Sequence, residues 1–417
     1  MHVASADEHP LPDPQTAGVP LIDMSRQYRP LAQEITDAVG RVLASGRFVL
    51  GPDCQALEKA IASYVHVPHA IACASGSDAI LLALMALDVG PGDEVIVPSY
   101  TFFATASAVA RLGAKPVFVD IDPATFNIDA ALVEKACTPR TKAIMPVHLF
   151  GQCADMDAIQ SIATKRNLPV VEDAAQAIGA EFKHKPAGSI GDVGCFSFYP
   201  TKNLGGPGDG GMLSTRRQDL ADRLRLLHQH GMAPRYYHQV LGINSRLDSL
   251  QAAVLNVKLP HLDRWTAQRQ LQARRYHELF ATAGLAQVLT LPVEAAEGRH
   301  VWNQYIVRVP DGKRDALREH LAKHKIGSEI YYPVALHQQQ CFAYLGYGPG
   351  SLPKTEAATR ETLALPIFPE LTFSEQQFVV SKVAAFFGVG QPQRVPAPKF
   401  LKHAHGVEEK TGNRKPL

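Results

Sequence analysis

Cysteine is sparse and scattered in this chain. Its six positions, Cys54, Cys73, Cys137, Cys153, Cys195 and Cys341, form no close pair, which argues against a disulfide framework or a clustered zinc site and for reduced, structural thiols. Net charge is nearly absent too. The 42 lysines and arginines against 40 aspartates and glutamates leave +2, an excess too weak to give nucleic acid or an anionic membrane an electrostatic footprint. No apolar run reaches the roughly 18 residues that a membrane span requires. The first residues, with Asp7, Glu8, Pro10, Pro12 and Pro14, lack the charged-then-apolar order of a signal peptide, so a cytoplasmic location is expected. No repeat of fixed period appears inside the folded region. The 17 histidines invite a metal reading, but neither His228 with His230 nor His403 with His405 has further partners at ligand spacing, and no metal is assigned.

What is present is ordinary globular material on a large scale. A chain of 417 residues that is 46% hydrophobic and 20% charged suits two packed lobes sharing a cleft. Apolar bursts of strand length alternate with segments of helical period: 70–74 before 78–87, 94–98 before 103–112, 116–120 before 130–136, 143–148 before 156–166, then 169–172 and 194–198. That alternation predicts a large α/β domain with many parallel strands and covering helices. A long helical stretch over 247–280, interrupted at Pro260, predicts the connection to a smaller lobe with a strand at 304–309 and helices at 314–324 and 376–387. The expected division is a polar, proline-rich extension over 1–18, a large domain over 19–265, a small one over 266–388, and a mobile basic tail over 389–417. Within the large domain, 19–50 is expected to pack towards the small lobe.

Several residues carry chemistry. Asp173 ends an apolar strand, where a buried carboxylate could hold a proton on a cofactor nitrogen; an aspartate capping a following helix would read the same. Lys202 follows another short strand and precedes the glycine-rich 205–211, a setting that desolvates an amine, lowers its pKa and frees it as a nucleophile for a Schiff base. Residues 74–78, Ala-Ser-Gly-Ser-Asp, put a glycine and two hydroxyls at a strand-to-helix junction. Free amides and the helix dipole attract a phosphate there, although the same pattern serves as a plain helix N-cap. Ser197 can add a hydroxyl to that phosphate, and Phe102 sits past a strand end, available for ring stacking or for the core. A lysine for the aldehyde, an acid for the pyridine nitrogen, a phosphate cup and a flat cover together suit pyridoxal 5′-phosphate (PLP).

The order of motifs carries more than any one of them. Ser-Gly-Ser-Asp at 75–78, Thr-Phe-Phe-Ala-Thr-Ala at 101–106, Glu-Asp-Ala-Ala-Gln at 172–176, Phe-Ser-Phe-Tyr-Pro-Thr-Lys-Asn-Leu-Gly at 196–205, Gly-Asp-Gly-Gly at 208–211 and Gly-Ile-Asn-Ser-Arg-Leu-Asp at 242–248 resemble the nucleotide-sugar aminotransferases of the DegT/DnrJ/EryC1/StrS family from about 21 to 387. The resemblance implies an α/β fold of the aspartate-aminotransferase-like kind, PLP fold type I. Its large domain would hold a mostly parallel seven-stranded sheet, beside a smaller α+β C-terminal domain. It also implies a homodimer with shared active sites and transfer of an amino group from an amino acid, commonly L-glutamate, to a keto-sugar nucleotide. By that likeness Lys202 carries the cofactor, Asp173 partners the pyridinium and Gln176 lies near the ring hydroxyl. Gly76, Ser77 and Ser197 would cup the phosphate, with Phe102 stacking and Asn244 reaching in from the other subunit. Ser77 stands where many relatives have threonine; either hydroxyl can donate. Related dehydratases carry histidine at the lysine position, so Lys202 favours transamination.

Substrate residues follow less directly. Arg246 is a fixed cation suited to a phosphate or sugar carboxylate, or else to pairing with Asp248. The stretch 329–337 resembles the family's His-Tyr-Pro-x-Pro-Leu-His, with Tyr331 replacing its histidine and Ala335 its second proline. Tyr332 and His337 are kept as candidates. Residues 228–231 and 235–238 most resemble members that aminate the 3-keto position of a UDP- or dTDP-linked sugar. The alternatives are a 4-aminotransferase of the same family, a PLP lyase or desulfurase of the same fold, which would need Cys341 as a reactive thiol, and a regulatory protein that has lost the chemistry.

Overall fold

The computed structural model describes residues 13–390. Strands His69–Cys73, Glu94–Pro98, Lys115–Val119, Thr141–Ile144, Val171–Asp173 and Val193–Ser197 overlap the apolar bursts that predicted them. Glu94–Pro98 is buried throughout and Val193–Ser197 nearly so, because helices cover both faces and leave no solvated side to alternate with.

With Gly211–Thr215 these strands form a three-stranded and a four-stranded ladder, beside the expectation of one seven-stranded sheet. In the first, Lys115–Val119, Glu94–Pro98 and Thr141–Ile144 lie side by side and all parallel. In the second the order is His69–Cys73, Gly211–Thr215, Val193–Ser197, Val171–Asp173. His69–Cys73, Val193–Ser197 and Val171–Asp173 point the same way, and Gly211–Thr215 alone enters antiparallel to both its neighbours. A parallel neighbour needs a crossover of a dozen or more residues, usually a helix; here the connection after Val193–Ser197 is the loop that carries Lys202, and the chain turns straight back. Isolated parallel bridges, Ile144 to Val170 and Val147 to Asp173, join the two sheets edge to edge.

The helix Gly76–Ala86 is apolar all round, with Ala79 through Leu84 buried, so it lies inside the domain instead of on its surface. Each fully buried leucine or isoleucine on it contributes roughly 1.5–3 kcal/mol. The predicted break at Pro260 appears as a 3-10 turn, Leu259–His261, between helices Ser249–Lys258 and Leu262–Thr282. Beyond it, strands Tyr305–Arg308 and Thr362–Leu365 pair antiparallel under helices Arg314–Lys323 and Phe373–Phe387. Their common core gathers Tyr276, Phe280, Trp302, Tyr305, Val379 and Val383.

The start of the chain ties into this second lobe. Val19 bridges Ile326, and Arg26 pairs with Glu375 at 2.6 Å, the residue that closes the capping box of Phe373–Phe387 with Thr372. The following helix, Ala32–Ser45, lays Ala38 and Val42 against Ala253 of Ser249–Lys258 instead. Of the extension expected over 1–18, residues 13–18 hold the short helix Pro14–Ala17, capped by Asp13. Residues 1–12 and 391–417, where the rest of that extension and most of the basic tail fall, lie outside the described residues. Among the described residues no helix is long and apolar enough to cross a membrane.

Arg269 pins the small lobe to the long helix. It is 2% exposed, and its guanidinium donates to the carbonyls of Trp302 and Ile367 at 3.0 Å each, one before Tyr305–Arg308 and one after Thr362–Leu365. Arg269→Leu leaves both carbonyls unpaired in the interior, and is expected to lower stability by roughly 3 kcal/mol in urea unfolding; a loss below about 0.5 kcal/mol would contradict this role.

Candidate active site

The site assembles at the C-terminal ends of the strands. Asp173 and its neighbour Glu172 leave the end of Val171–Asp173 on opposite sides, as strand geometry requires. Glu172, fully buried, is an anchor: its carboxylate accepts from the backbone N–H groups of Gly188, Ile190 and Gly191 at 2.8, 2.8 and 2.6 Å and meets His148 Nε2 at 2.9 Å. His148 Nδ1 accepts from Ala154 N at 3.1 Å, which leaves the ring proton on Nε2, facing Glu172. With the strand end fixed, Asp173 points its carboxylate into the site, 4% exposed. It accepts from Thr105 Oγ1 at 2.7 Å and Ala175 N at 3.2 Å. Burial pushes its pKa up; the Thr105 and Ala175 hydrogen bonds and the charge of Lys202 pull the other way. No helix starts at Asp173, so the helix-cap reading of this residue falls away.

Lys202 rides on a turn closed by Lys202 N donating to Tyr199 O at 2.9 Å and Gly206 N donating to Phe198 O at 2.8 Å. Gly205 is obligatory in that turn, because a Cβ there would lie 2.2 Å from Pro200 O. The buried ammonium of Lys258 donates to the Gly205 carbonyl and holds the loop from below. Lys202 keeps some exposure as a residue, yet the protein around its amine desolvates it enough to bring the pKa down to about 8, against the opposing pull of Asp173.

Beside this pair is a cradle. Gly76 opens the helix Gly76–Ala86, with Ser75 as N-cap accepting from Asp78 N at 3.1 Å. A Cβ on Gly76 would stand 2.6 Å from Ser197 Cβ, so the glycine is what lets the helix start approach Ser197. Ser77 is exposed on the first turn. Gly76, Ser77 and Ser197 are therefore brought to one place, where the first amides of the helix lack partners within it and the Ser197 hydroxyl, accepting from Tyr199 N at 3.3 Å, keeps its own proton to donate.

The remaining candidates divide. Gln176 accepts from Phe150 N at 2.7 Å and reaches the Tyr332 hydroxyl at 3.3 Å, and the Tyr332 ring lies 6.2 Å from that of Phe102, which is 57% exposed. Burial raises the Tyr332 pKa and keeps the phenol neutral. Asn244 is exposed and Arg246 half-buried; among the described residues Arg246 has no ion pair within 4 Å, with Asp248 or any other carboxylate. His337 is placed differently. It is 1% exposed, with Nδ1 2.7 Å from Ser99 Oγ and Nε2 3.3 Å from Glu356 Oε1, so both ring nitrogens are engaged inside the protein. Thr105, Glu172, His148 and Ser245 escaped the sequence reading. Thr105, Glu172 and Ser245 each lie within a motif already singled out, which was the available signal; His148 had none.

The donor set fits PLP. A buried carboxylate held by two hydrogen-bond donors and with lone pairs to spare suits a cationic ring N–H, an amine with a pKa of about 8 suits an aldehyde, and the glycine cradle that a Cβ would fill suits a phosphate.

Comparison with known proteins agrees with this chemistry. The DegT/DnrJ/EryC1/StrS aminotransferase family matches residues 30–384. A Geobacillus stearothermophilus protein named "Pleiotropic regulatory protein" is 53% identical over 369 residues, 88% of this chain and 98% of that one. The UDP-N-acetyl-3-dehydro-alpha-D-glucosamine 3-aminotransferase of Acidithiobacillus ferrooxidans is 46% identical over 86% of this chain and 95% of its own. The crystal structure of DesV from S. venezuelae superposes with a TM-score of 0.85 at 42% identity, covering 91% of this chain and 99% of that one. Solved neighbours include forms with PLP and with PMP bound.

The lowered pKa of Lys202 has a direct readout. In the cofactor-free protein, acetylation of Lys202 followed by peptide mass spectrometry should rise with pH through a midpoint near 8, instead of near the ~10.4 of a solvated lysine. Asp173→Asn removes a charge that favours the ammonium and should move the midpoint lower still. A midpoint near 10 in the wild type would contradict the desolvated amine.

Proposed function

The chain belongs to the DegT/DnrJ/EryC1/StrS aminotransferase family, whose members are PLP-dependent, and from that premise we propose that it transfers an amino group from L-glutamate to the 3-keto position of a UDP- or dTDP-linked sugar. The observation that carries the chemistry is the desolvated Lys202 amine facing the buried Asp173 carboxylate beside the Gly76–Ser197 cradle. The preference for position 3 is supported by the name of the Acidithiobacillus relative and by the likeness of 228–238 to such members.

When bound, PLP supplies the electron sink that lets a bond at the amino-bearing carbon be broken and remade. The chain's residues do the rest. Gly76 and Ser77, at the helix start, and Ser197 would hold the phosphate, with Phe102 available to cover the ring and Gln176 to orient it. Asp173 would hold a proton on the pyridine nitrogen as an ionised carboxylate, a form that the Thr105 and Ala175 hydrogen bonds stabilise against the burial that opposes it. Lys202 Nζ would hold the aldehyde carbon, with its oxygen lost as water, until a donor amine displaces it; freed, as an amine with a pKa near 8, it would carry a proton from one carbon to another. Tyr332 borders this space as a neutral hydroxyl, and Arg246 offers an unpaired cation to a substrate phosphate or carboxylate.

The same reading makes the working unit a homodimer with shared sites. Phe48, Val49 and Leu50 are 45%, 47% and 37% exposed on a segment bridged to Asp248. The neighbouring loop exposes Tyr236, Tyr237 and Leu241 at 74%, 69% and 94%. That apolar surface flanks Asn244 and suits a second copy, into whose cup Asn244 would reach.

The regulatory name of the Geobacillus relative favours keeping a second reading, a protein that binds PLP without turnover. One experiment separates the two. With ¹⁵N-labelled L-glutamate and a 3-keto nucleotide sugar, the loaded protein should deliver ¹⁵N to the sugar, and Lys202→Ala should lower the rate by at least about a thousandfold. Cofactor uptake with no label transfer to 3-keto or 4-keto sugars would favour the regulatory reading.

A further inference from the structure

Ser245 lies between two parts of the site that are far apart in sequence. It is fully buried. Its hydroxyl donates to Asp78 Oδ2 at 2.7 Å and accepts from Ala74 N at 3.1 Å. Ala74 and Asp78 bracket the phosphate cup: Asp78 is on the first turn of the Gly76–Ala86 helix, its N–H held by the Ser75 cap, and Ala74 precedes that cap. On either side of Ser245 stand Asn244 and Arg246, both left open to solvent in part. The Ser245 backbone is fixed as well, its N–H donating to His228 O at 3.1 Å. One hydroxyl thus uses its donor on a carboxylate, the stronger kind of hydrogen bond, and its acceptor on a backbone amide that would otherwise be unpaired.

We propose that Ser245 is a positioning residue that couples the two active sites of the dimer, tying the phosphate cup of its own subunit to the Asn244–Arg246 segment that the same subunit lends to the other. The proposal rests on the shared-site reading above. The link is a contiguous set of bonds, from the cup through Asp78 and Ser245 to its adjacent residues, so displacement at either end is felt at the other. By thermodynamic reciprocity, a cup that is ordered by phosphate steadies the lent segment, and a steadied segment favours phosphate in the neighbouring cup. Removing the hydroxyl leaves the Ala74 amide unpaired and frees Asp78 to move, which loosens the cup and the lent segment together.

A serine that merely stabilised its own subunit would not alter cofactor uptake in an unmutated partner, and this difference sets the test. Mixed dimers carrying one variant and one wild-type subunit of distinct mass are equilibrated with limiting PLP, reduced with borohydride and weighed, so that PLP fixed on each Lys202 is counted separately. With Ser245→Ala, uptake is expected to fall about tenfold in the variant subunit and also in its wild-type partner. With Asn244→Ala the fall should appear mainly in the partner. If Asn244→Ala depresses the partner while Ser245→Ala depresses only its own subunit, the shared site stands and the coupling is overturned. If Asn244→Ala leaves the partner untouched, the shared site itself fails and takes the coupling with it. Should Ser245→Ala not fold, Asp78→Ala breaks the same bond from the other end, and its effect is read in the same way on the wild-type partner.

Discussion

A carboxylate held inside the protein opposite a desolvated amine is the constraint on which the rest of this structure depends. Asp173 is 4% exposed at a strand end, and the charge it feels from across the site is that of Lys202. Neither group is comfortable there alone: burial raises one pKa and lowers the other, and each partly offsets the cost to its partner. Such an arrangement is stable only if the backbone on both sides is rigid. Glu172, taking three backbone N–H groups and His148, supplies that rigidity behind Asp173. Gly205 and Lys258 supply it beneath Lys202.

The topology follows from the same requirement. The chain leaves Val193–Ser197, makes the lysine loop, and returns at once as Gly211–Thr215, so Lys202 is held between two paired strands. Gly211 reinforces this closeness, since a Cβ there would lie 2.3 Å from Ser75 O. The phosphate cradle, the lysine loop and the Asp173 strand are therefore one packed unit, and Ser245 fastens to it the segment that presents Asn244 and Arg246.

Much of this was legible in the sequence because it rests on local pattern. Strand bursts, the break at Pro260 and the helix at 314–324 are written in apolar period and proline placement, and the chemistry of Asp173 and Lys202 in their setting at strand ends before glycine-rich chain. What was not legible depends on tertiary contact. Gly211–Thr215 and Thr362–Leu365 follow glycine or a helix end without a strand-length apolar burst, and they are strands because of their partners. A mostly parallel sheet was expected, but that Gly211–Thr215 is its antiparallel member can only be recognised once the loop before it is known to hold no crossover helix. His337 reads as a substrate residue by its motif, and only the fold places it between Ser99 and Glu356. Thr105 and Ser245 are small hydroxyls whose roles lie in partners 68 and 167 residues away.

The central claim is that buried Asp173, by keeping the proton on the ring nitrogen, lets a donor amino acid displace Lys202 from the cofactor and leave its amino group there, with Lys202 moving the proton. The most direct measurement is the visible absorbance of the PLP-loaded protein before and after L-glutamate, in the wild type and in Asp173→Asn. The account predicts a visible band in both, lost on adding glutamate to the wild type and unchanged in the variant over the same time. A variant whose band falls as fast as that of the wild type would contradict it.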